Sequence, residues 1–200
     1  FEGDREARLR AGNVVGAATA AANIGEILVK RGRLDEAWPV LTEVVRVMRA
    51  SGFSDGAAYA ELQLGRLLLA RGEHARAGGL LARVRAEFAA LGQAASALEA
   101  ACVEARARTA LGLADEALAL LEQAEATAGR AARALAPQVA EARAAALAAL
   151  GAMDEARGTI DAGIAAARRN GSPYEEGMLR AAAVELECSR GAGAAPQMVE

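Results

Sequence analysis

Aromatic residues supply only 3% of this 200-residue chain, and proline occurs four times. β-Branched residues are sparse apart from scattered valines, so the residue types that favour sheets are missing. Two cysteines, Cys102 and Cys188, lie far apart, without the clustered spacing of a zinc site or a disulfide framework. They read as reduced thiols. A single histidine, His74, has no acid or thiol at ligand spacing, which rules out a metal cluster or a nucleophilic triad built on it. No apolar run reaches the roughly 20 residues needed to span a bilayer. The formal charge of −3 is spread along the chain in both signs, which argues against a surface dedicated to nucleic acid or anionic lipid. No Gly-x-x-x-x-Gly-Lys-(Ser/Thr) string is present to cradle a phosphate.

What remains is rich in alanine and leucine, the leaders of the helix-propensity scale, and it predicts an all-α protein. The string Gly-x-x-x-(Glu/Arg)-Ala recurs at Gly32–Ala37, Gly72–Ala77, Gly112–Ala117 and Gly151–Ala156, in steps of 40, 40 and 39 residues. A second glycine series, Gly12, Gly52, Gly92 and Gly171, runs at nearly the same period, and Ala132 stands where its fourth member would fall. Two punctuation marks per unit imply two helices per unit. Apolar residues at helical spacing fill the intervals, for instance Ile24, Ile27 and Leu28 before Gly32 and Leu34, Ala37, Leu41 and Val44 after it. Glycine after Arg31, Arg71 and Leu111 suits the left-handed position that ends a helix, and Asp35 or Asp115 can start the next.

The predicted helices are 14–31, 35–51, 56–71, 74–91, 94–111, 114–129, 133–150, 153–170 and 174–189. One such pair cannot bury its apolar stripe alone, so the units must stack. The expected fold is a right-handed α-solenoid of antiparallel helix pairs. Its divisions are a tail of a truncated unit at 1–11, pairs at 12–52, 53–92, 93–131 and 132–171, a capping helix at 172–190 and a flexible tail at 191–200.

These residues resemble the tetratricopeptide family, in which a small residue is followed seven positions later by glycine and twelve later by alanine. Gly25, Gly32 and Ala37 match, as do Gly65, Gly72 and Ala77, then Ala105, Gly112 and Ala117, then Ala144, Gly151 and Ala156. The large apolar position four beyond each alanine holds Leu41, Leu81, Leu121 and Ile160. The chain departs from the family in its longer unit, in Ala21, Glu61, Ala101 and Ala140 at the bulky aromatic position, and in Arg49, Ala89, Gly129 and Arg168 at the closing proline. The segments Ala22–Leu28, Gly32–Ala37 and Leu64–Arg66 also resemble the C-terminal repeat region of bacterial multidomain class III adenylate/guanylate cyclases, over roughly residues 12–125. A large transcriptional activator with an NTPase core is the alternative parent.

The resemblance implies a concave surface lined by the first helix of each unit and open to a protein or peptide partner, with no catalytic group, metal or cofactor in the fragment. The residues it carries onto that face include Glu26, Lys30, Tyr59, Leu62, Arg66, Glu99, Arg106 and Glu141. Arg66 and Arg106, one repeat apart, are placed to grip a carboxylate; the competing reading is a ladder in which Arg66 pairs with Glu26. Tyr59 and Leu62 are the better contact candidates. Trp38 is either a partner anchor or an inter-repeat core residue, and Pro39 falls at its helix entry. Small residues over Arg143–Ala149 predict a shallow groove or close pairing of two chains. Homodimerisation of the parent is therefore the rival function. The absence of a signal peptide after Phe1 suggests an excised part of a cytoplasmic protein.

Overall fold

The structure, a computed structural model, describes residues 13–193. Ten helices follow one another among the described residues, with no strand between them: α1 (Val14–Lys30), α2 (Leu34–Ala50), α3 (Ser54–Ala70), α4 (His74–Ala90), α5 (Ala94–Ala110), α6 (Ala114–Ala128), α7 (Ala131–Ala134), α8 (Ala136–Ala149), α9 (Met153–Asn170) and α10 (Pro173–Gly193). The expected α-solenoid is the observed fold. α1 pairs with α2, α3 with α4, α5 with α6 and α8 with α9, and each pair also packs on the next through its first helix.

The glycine series ends the helices as expected. In the first turn Gly32 has φ 71°, its N–H donates to the Val29 carbonyl at 2.9 Å, and the Arg33 N–H donates to Leu28 at 2.9 Å. That is a Schellman closure, which satisfies carbonyls that the helix end leaves open. The same pair of bonds recurs after α3, α5 and α8. The helix starts fall within two residues of those expected, the 133–150 segment apart. Asp35 and Asp115 lie inside the first turns of α2 and α6, where their charge faces the positive end of the helix, and neither is the cap. Asn13 does cap α1, accepting the Gly16 N–H at 2.7 Å.

Pro39 lies at the sixth position of α2, past the first turn, so its missing N–H leaves the Asp35 carbonyl without an i+4 partner; the ring is exposed. The helix expected at 133–150 is divided. The chain reverses early, at Gly129 (φ 56°), then forms the single turn α7 before Pro137 opens α8. Ala132 cannot adopt the left-handed backbone as cheaply as glycine, so the turn has moved back to Gly129. The tail assigned to 1–11, with Gly12 beside it, and the end of the 191–200 tail lie outside the described residues, while α10 runs on to Gly193.

The core lies between the two helix layers. Leu41, Leu81, Leu121 and Ile160, the large apolar residues of the repeat signature, are all fully buried or nearly so. Gly25 and Gly65 let them in. A Cβ on Gly25 would lie 2.4 Å from Leu41 Cδ2, and one on Gly65 would lie 2.5 Å from Leu81 Cδ2. Ala37, Ala77, Ala105, Ala117 and Ala156 are wholly buried and Ala144 nearly so, as close helix packing requires.

Candidate functional site

The first helices α1, α3, α5, α8 and α10 bring their polar side chains into a series of rungs, each joining one unit to the next. The Tyr59 hydroxyl on α3 donates to Glu26 on α1, which also receives Lys30 Nζ at 2.7 Å. Arg66 Nη2 on α3 lies 2.6 Å from Glu99 on α5, and Arg106 Nη1 on α5 lies 3.2 Å from Glu141 on α8. Gln138 Nε2 on α8 donates to Glu175 on α10 at 3.4 Å. The circuit returns to its start: Lys30 Nζ sits 5.2 Å from the ring centroid of Tyr174 on α10. A cation–π contact therefore links the first described unit to the last.

Glu26, Lys30, Tyr59, Arg66, Glu99, Arg106 and Glu141 take part in these rungs, and two contacts differ from those expected. Leu62 has no exposed surface and packs in the core with Leu81 and Ala77, so it is a packing residue. Arg66 does not pair with Glu26; it holds Glu99 and donates a second hydrogen bond, at 3.3 Å, to the Gln63 amide oxygen. The reason is geometric. Between the first three units, side chains at one level of a first helix meet the next unit two turns lower, so the contact step is 33 residues, from Glu26 to Tyr59 and from Arg66 to Glu99. A comparison at the 40-residue repeat misses it.

The electrostatics follow from these rungs. Burial, the largest single influence on Glu26, disfavours its ionised form, but the hydrogen bonds from Lys30 and Tyr59 and the charges of Lys30 and Arg66 outweigh it and hold the carboxyl below its ordinary value. Burial first, and then the bond to Glu26, raise the Tyr59 phenol well above its usual range. Cys102, in the wall beneath, is pushed up to about 12 by burial, followed by the nearby Glu99 and Glu125 carboxylates. It is a protonated, unreactive thiol at neutral pH. Four glutamates and three basic side chains occupy the rungs, so the groove is of mixed polarity and already charge-paired. No group of three or more His, Cys, Asp or Glu among the described residues is arranged to hold a metal ion.

Sequence reasoning missed a second set of ion pairs, those between the layers. Glu104 is completely buried on α5, between Arg85 Nε of α4 at 2.8 Å and Arg108 Nη2 at 2.6 Å. Glu61, nearly buried, meets Arg49 at 3.0 Å and Arg83 at 3.6 Å, and Arg49 also holds Glu87 at 2.5 Å. Glu61 and Arg49 stand at the positions of the family's bulky aromatic and closing proline. That coincidence of two departures was the available signal. Trp38 is half-buried against the core clusters that contain Leu67 and Leu81, with Arg71 and Arg76 over its ring at 5.3 and 6.0 Å. His74 opens α4, its Nδ1 buried without a hydrogen-bond partner. An open depression of about 700 Å³ on the second-helix side is bordered by Leu118, Arg143, Leu147 and Gly158 rather than by the alanines after Arg143.

No protein-family model matches the chain, and no curated protein does. Solved structures do. A candidate kinesin light chain from Podosopora anserina, with nearly identical TPR-like repeats, superposes with a TM-score of 0.58 at 24% identity, over 90% of this chain and 96% of that one. A substituted form of that protein gives the same TM-score and identity over 86% and 92%. At this identity the likeness speaks for architecture, and the architecture is that of a TPR-like solenoid.

Proposed function

We propose that the concave face receives an extended segment of another protein, and that the array is the regulatory, protein-binding part of a larger signalling protein of the class III nucleotide cyclase kind. The observation that carries the first part is the line of half-exposed polar groups, Lys30, Glu26, Tyr59, Arg66, Glu99, Arg106 and Glu141, that the first helices set along one face. An extended peptide needs such alternating donors and acceptors for its own backbone and side chains. The pairing changes what the partner should look like. Arg66 and Arg106 each face a glutamate, so they do not form an open grip for a carboxylate. A segment carrying both charge signs can exchange with the existing pairs without stranding a charge, whereas a purely acidic one meets four glutamates.

Arg106, whose side chain is 42% exposed against 24% for Arg66, is the more accessible of the two arginines and is held by one glutamate. An array of synthetic peptides of acidic, basic and mixed charge tests the reading. Arg106→Gln and Tyr59→Phe should each weaken capture of mixed-charge peptides while the helical circular dichroism stays unchanged. Binding indifferent to both substitutions would remove the groove from consideration. The cyclase parentage rests on the resemblance of Ala22–Leu28, Gly32–Ala37 and Leu64–Arg66. The coding sequence adjoining this segment decides it: a cyclase catalytic domain upholds the assignment, and a different effector domain overturns it.

A further inference from the structure

Lys30 fills a site shaped for a cation and is held there lightly. Its Nζ lies 2.7 Å from Glu26 Oε1 and 5.2 Å from the ring centroid of Tyr174. The other oxygen of Glu26 accepts from the Tyr59 hydroxyl, so a neutral neighbour holds the carboxylate in place. An alkylammonium group is drawn to such a pair of walls, because it donates to the carboxylate and lies over the negative face of the phenol ring. Met178 follows Tyr174 by one helical turn on the same side of α10 and is exposed, which adds apolar surface for a side-chain stem. Glu26 comes from the first described unit, Tyr59 from the second, and Tyr174 and Met178 from the last. α1 and α10 are not packed on one another, so long side chains cross the gap between them at this level.

The tether on Lys30 is weak. It pairs with a carboxylate one turn back on its own helix, a geometry that stabilises little, and its side chain is 44% exposed. Arg66 and Arg106 differ, since each reaches across to a glutamate of the next unit. Lys30 can turn to water at small cost, and its departure leaves Glu26 with the Tyr59 hydrogen bond and with Arg66 acting from a distance. We propose that Lys30 is a stand-in, and that Glu26, Tyr59, Tyr174 and Met178 form a subsite for a lysine side chain of the partner segment. The assignment rests on the reading of the concave face as a peptide groove and identifies the basic member of its mixed-charge ligand. The incoming ammonium keeps Glu26 paired, and the displaced Lys30 is free to meet an acidic residue of the same segment.

Lys30→Met removes the stand-in and keeps an apolar stem at an exposed position, so the helicity should not change. Tyr59 and Tyr174 are the two tyrosines of the chain, and 3-fluorotyrosine gives each a fluorine signal, assigned with Tyr59→Phe and Tyr174→Phe. Nα-acetyl-lysine N-methylamide at millimolar concentration should shift the Tyr174 signal in Lys30→Met, and the Nε-acetylated compound should not. A mixed-charge peptide with one lysine should bind Lys30→Met about fivefold more tightly than the parent chain, the strength of the two contacts it no longer has to displace, and norleucine in place of that lysine should remove the gain. A Tyr174 signal blind to the lysine compound, or a gain that survives norleucine, would overturn the subsite. Peptide capture that depends on Arg106 but not on Lys30 or Tyr174 would also overturn it while leaving the groove intact, whereas a Tyr174 response without peptide capture would uphold the subsite and remove the groove.

Discussion

Replacing Arg85 by valine should destabilise the middle of the array by about 2 kcal/mol, and replacing Glu104 by leucine in the same chain should return most of that loss. The carboxylate of Glu104 is 1% exposed and has two cationic partners, Arg85 and Arg108. Stripping a buried charge of its only partner costs roughly 3–5 kcal/mol. Here Arg108 remains, so about half of that is expected. The Glu104→Leu change alone leaves two arginines whose side chains are 31% and 28% exposed and can turn to water. Its cost should therefore be nearer 1 kcal/mol. The double variant installs the apolar combination that the chain itself uses one repeat earlier, where Leu64 and Val45 hold the equivalent positions. A coupling energy of about 2 kcal/mol should close the cycle. Because neighbouring repeats need not unfold together, native-state hydrogen exchange at the amides of α4 and α5 is the appropriate assay, with urea unfolding as the global check. Additive single effects, or an Arg85→Val variant indistinguishable from the parent protein, would refute the claim that this pair is energetically linked.

Four further outcomes follow from the same structure. Gly65→Ala should lower stability by about 1–3 kcal/mol, because the added methyl meets Leu81 at 2.5 Å and the overpacking exceeds the roughly 1 kcal/mol gained in helix propensity; thermal unfolding reads it. Ala105→Gly at the equivalent position should cost about 2 kcal/mol, roughly half from helix propensity and half from the methyl lost from the core. At pH 7 a thiol reagent should label Cys188 and spare Cys102 in the folded chain, giving one adduct by mass spectrometry, and both after denaturation. The carboxyls of Glu26 and Glu87 titrate below their ordinary 4.5 in the folded state, the first through Lys30 and Tyr59 against opposing burial, the second chiefly through the Arg49 hydrogen bond. Their contribution is complete above pH 4.5 and disappears as the pH falls through the lowered values, so the melting temperature should drop below pH 4.5, less steeply in Glu87→Gln.

The helix pairs were legible because two independent glycine series, one for each turn, recur along the chain at nearly constant steps. Glycine carries that information strongly: only it enters the left-handed turn backbone without strain, so Gly32, Gly72, Gly112 and Gly151 announce helix ends before any side chain is considered. The one break in the pattern, Ala132, pointed to the place where the fourth pair departs from the others, but not to the form of the departure. That depended on Gly129, Pro137 and a short turn acting together. The groove residues were legible as a set and illegible as partners. Composition and period place Glu26, Arg66 and Arg106 at equivalent sites, whereas their contacts depend on how far one helix is displaced along the next. Glu104 was the least accessible to sequence reasoning, since a glutamate in an alanine-rich helix looks like a solvated residue until the neighbouring unit closes over it.

The inter-layer pairs also bear on why these units do not exchange places. At one site on successive interfaces the residues from the second and then the first helix are Val45 with Leu64, Arg85 with Glu104, Glu125 with Arg143, and Ile164 with Ala183. The two middle pairs have opposite polarity, and both are made: Arg85 binds Glu104 at 2.8 Å, and Arg143 binds Glu125. Joining the second unit directly to the fourth would set Arg85 against Arg143, and joining the first to the third would bury Glu104 against Val45. Either misordered stack strands or opposes a charge in a partly buried layer, at a cost of several kcal/mol, while a stack with uniformly apolar residues there would carry no such penalty. An array assembled from near-identical alanine-rich helices is exposed to slipped registers, because small residues fit one another almost anywhere. The buried charges remove that freedom, and they do so at the interfaces around the third unit, from which both halves of the groove are built.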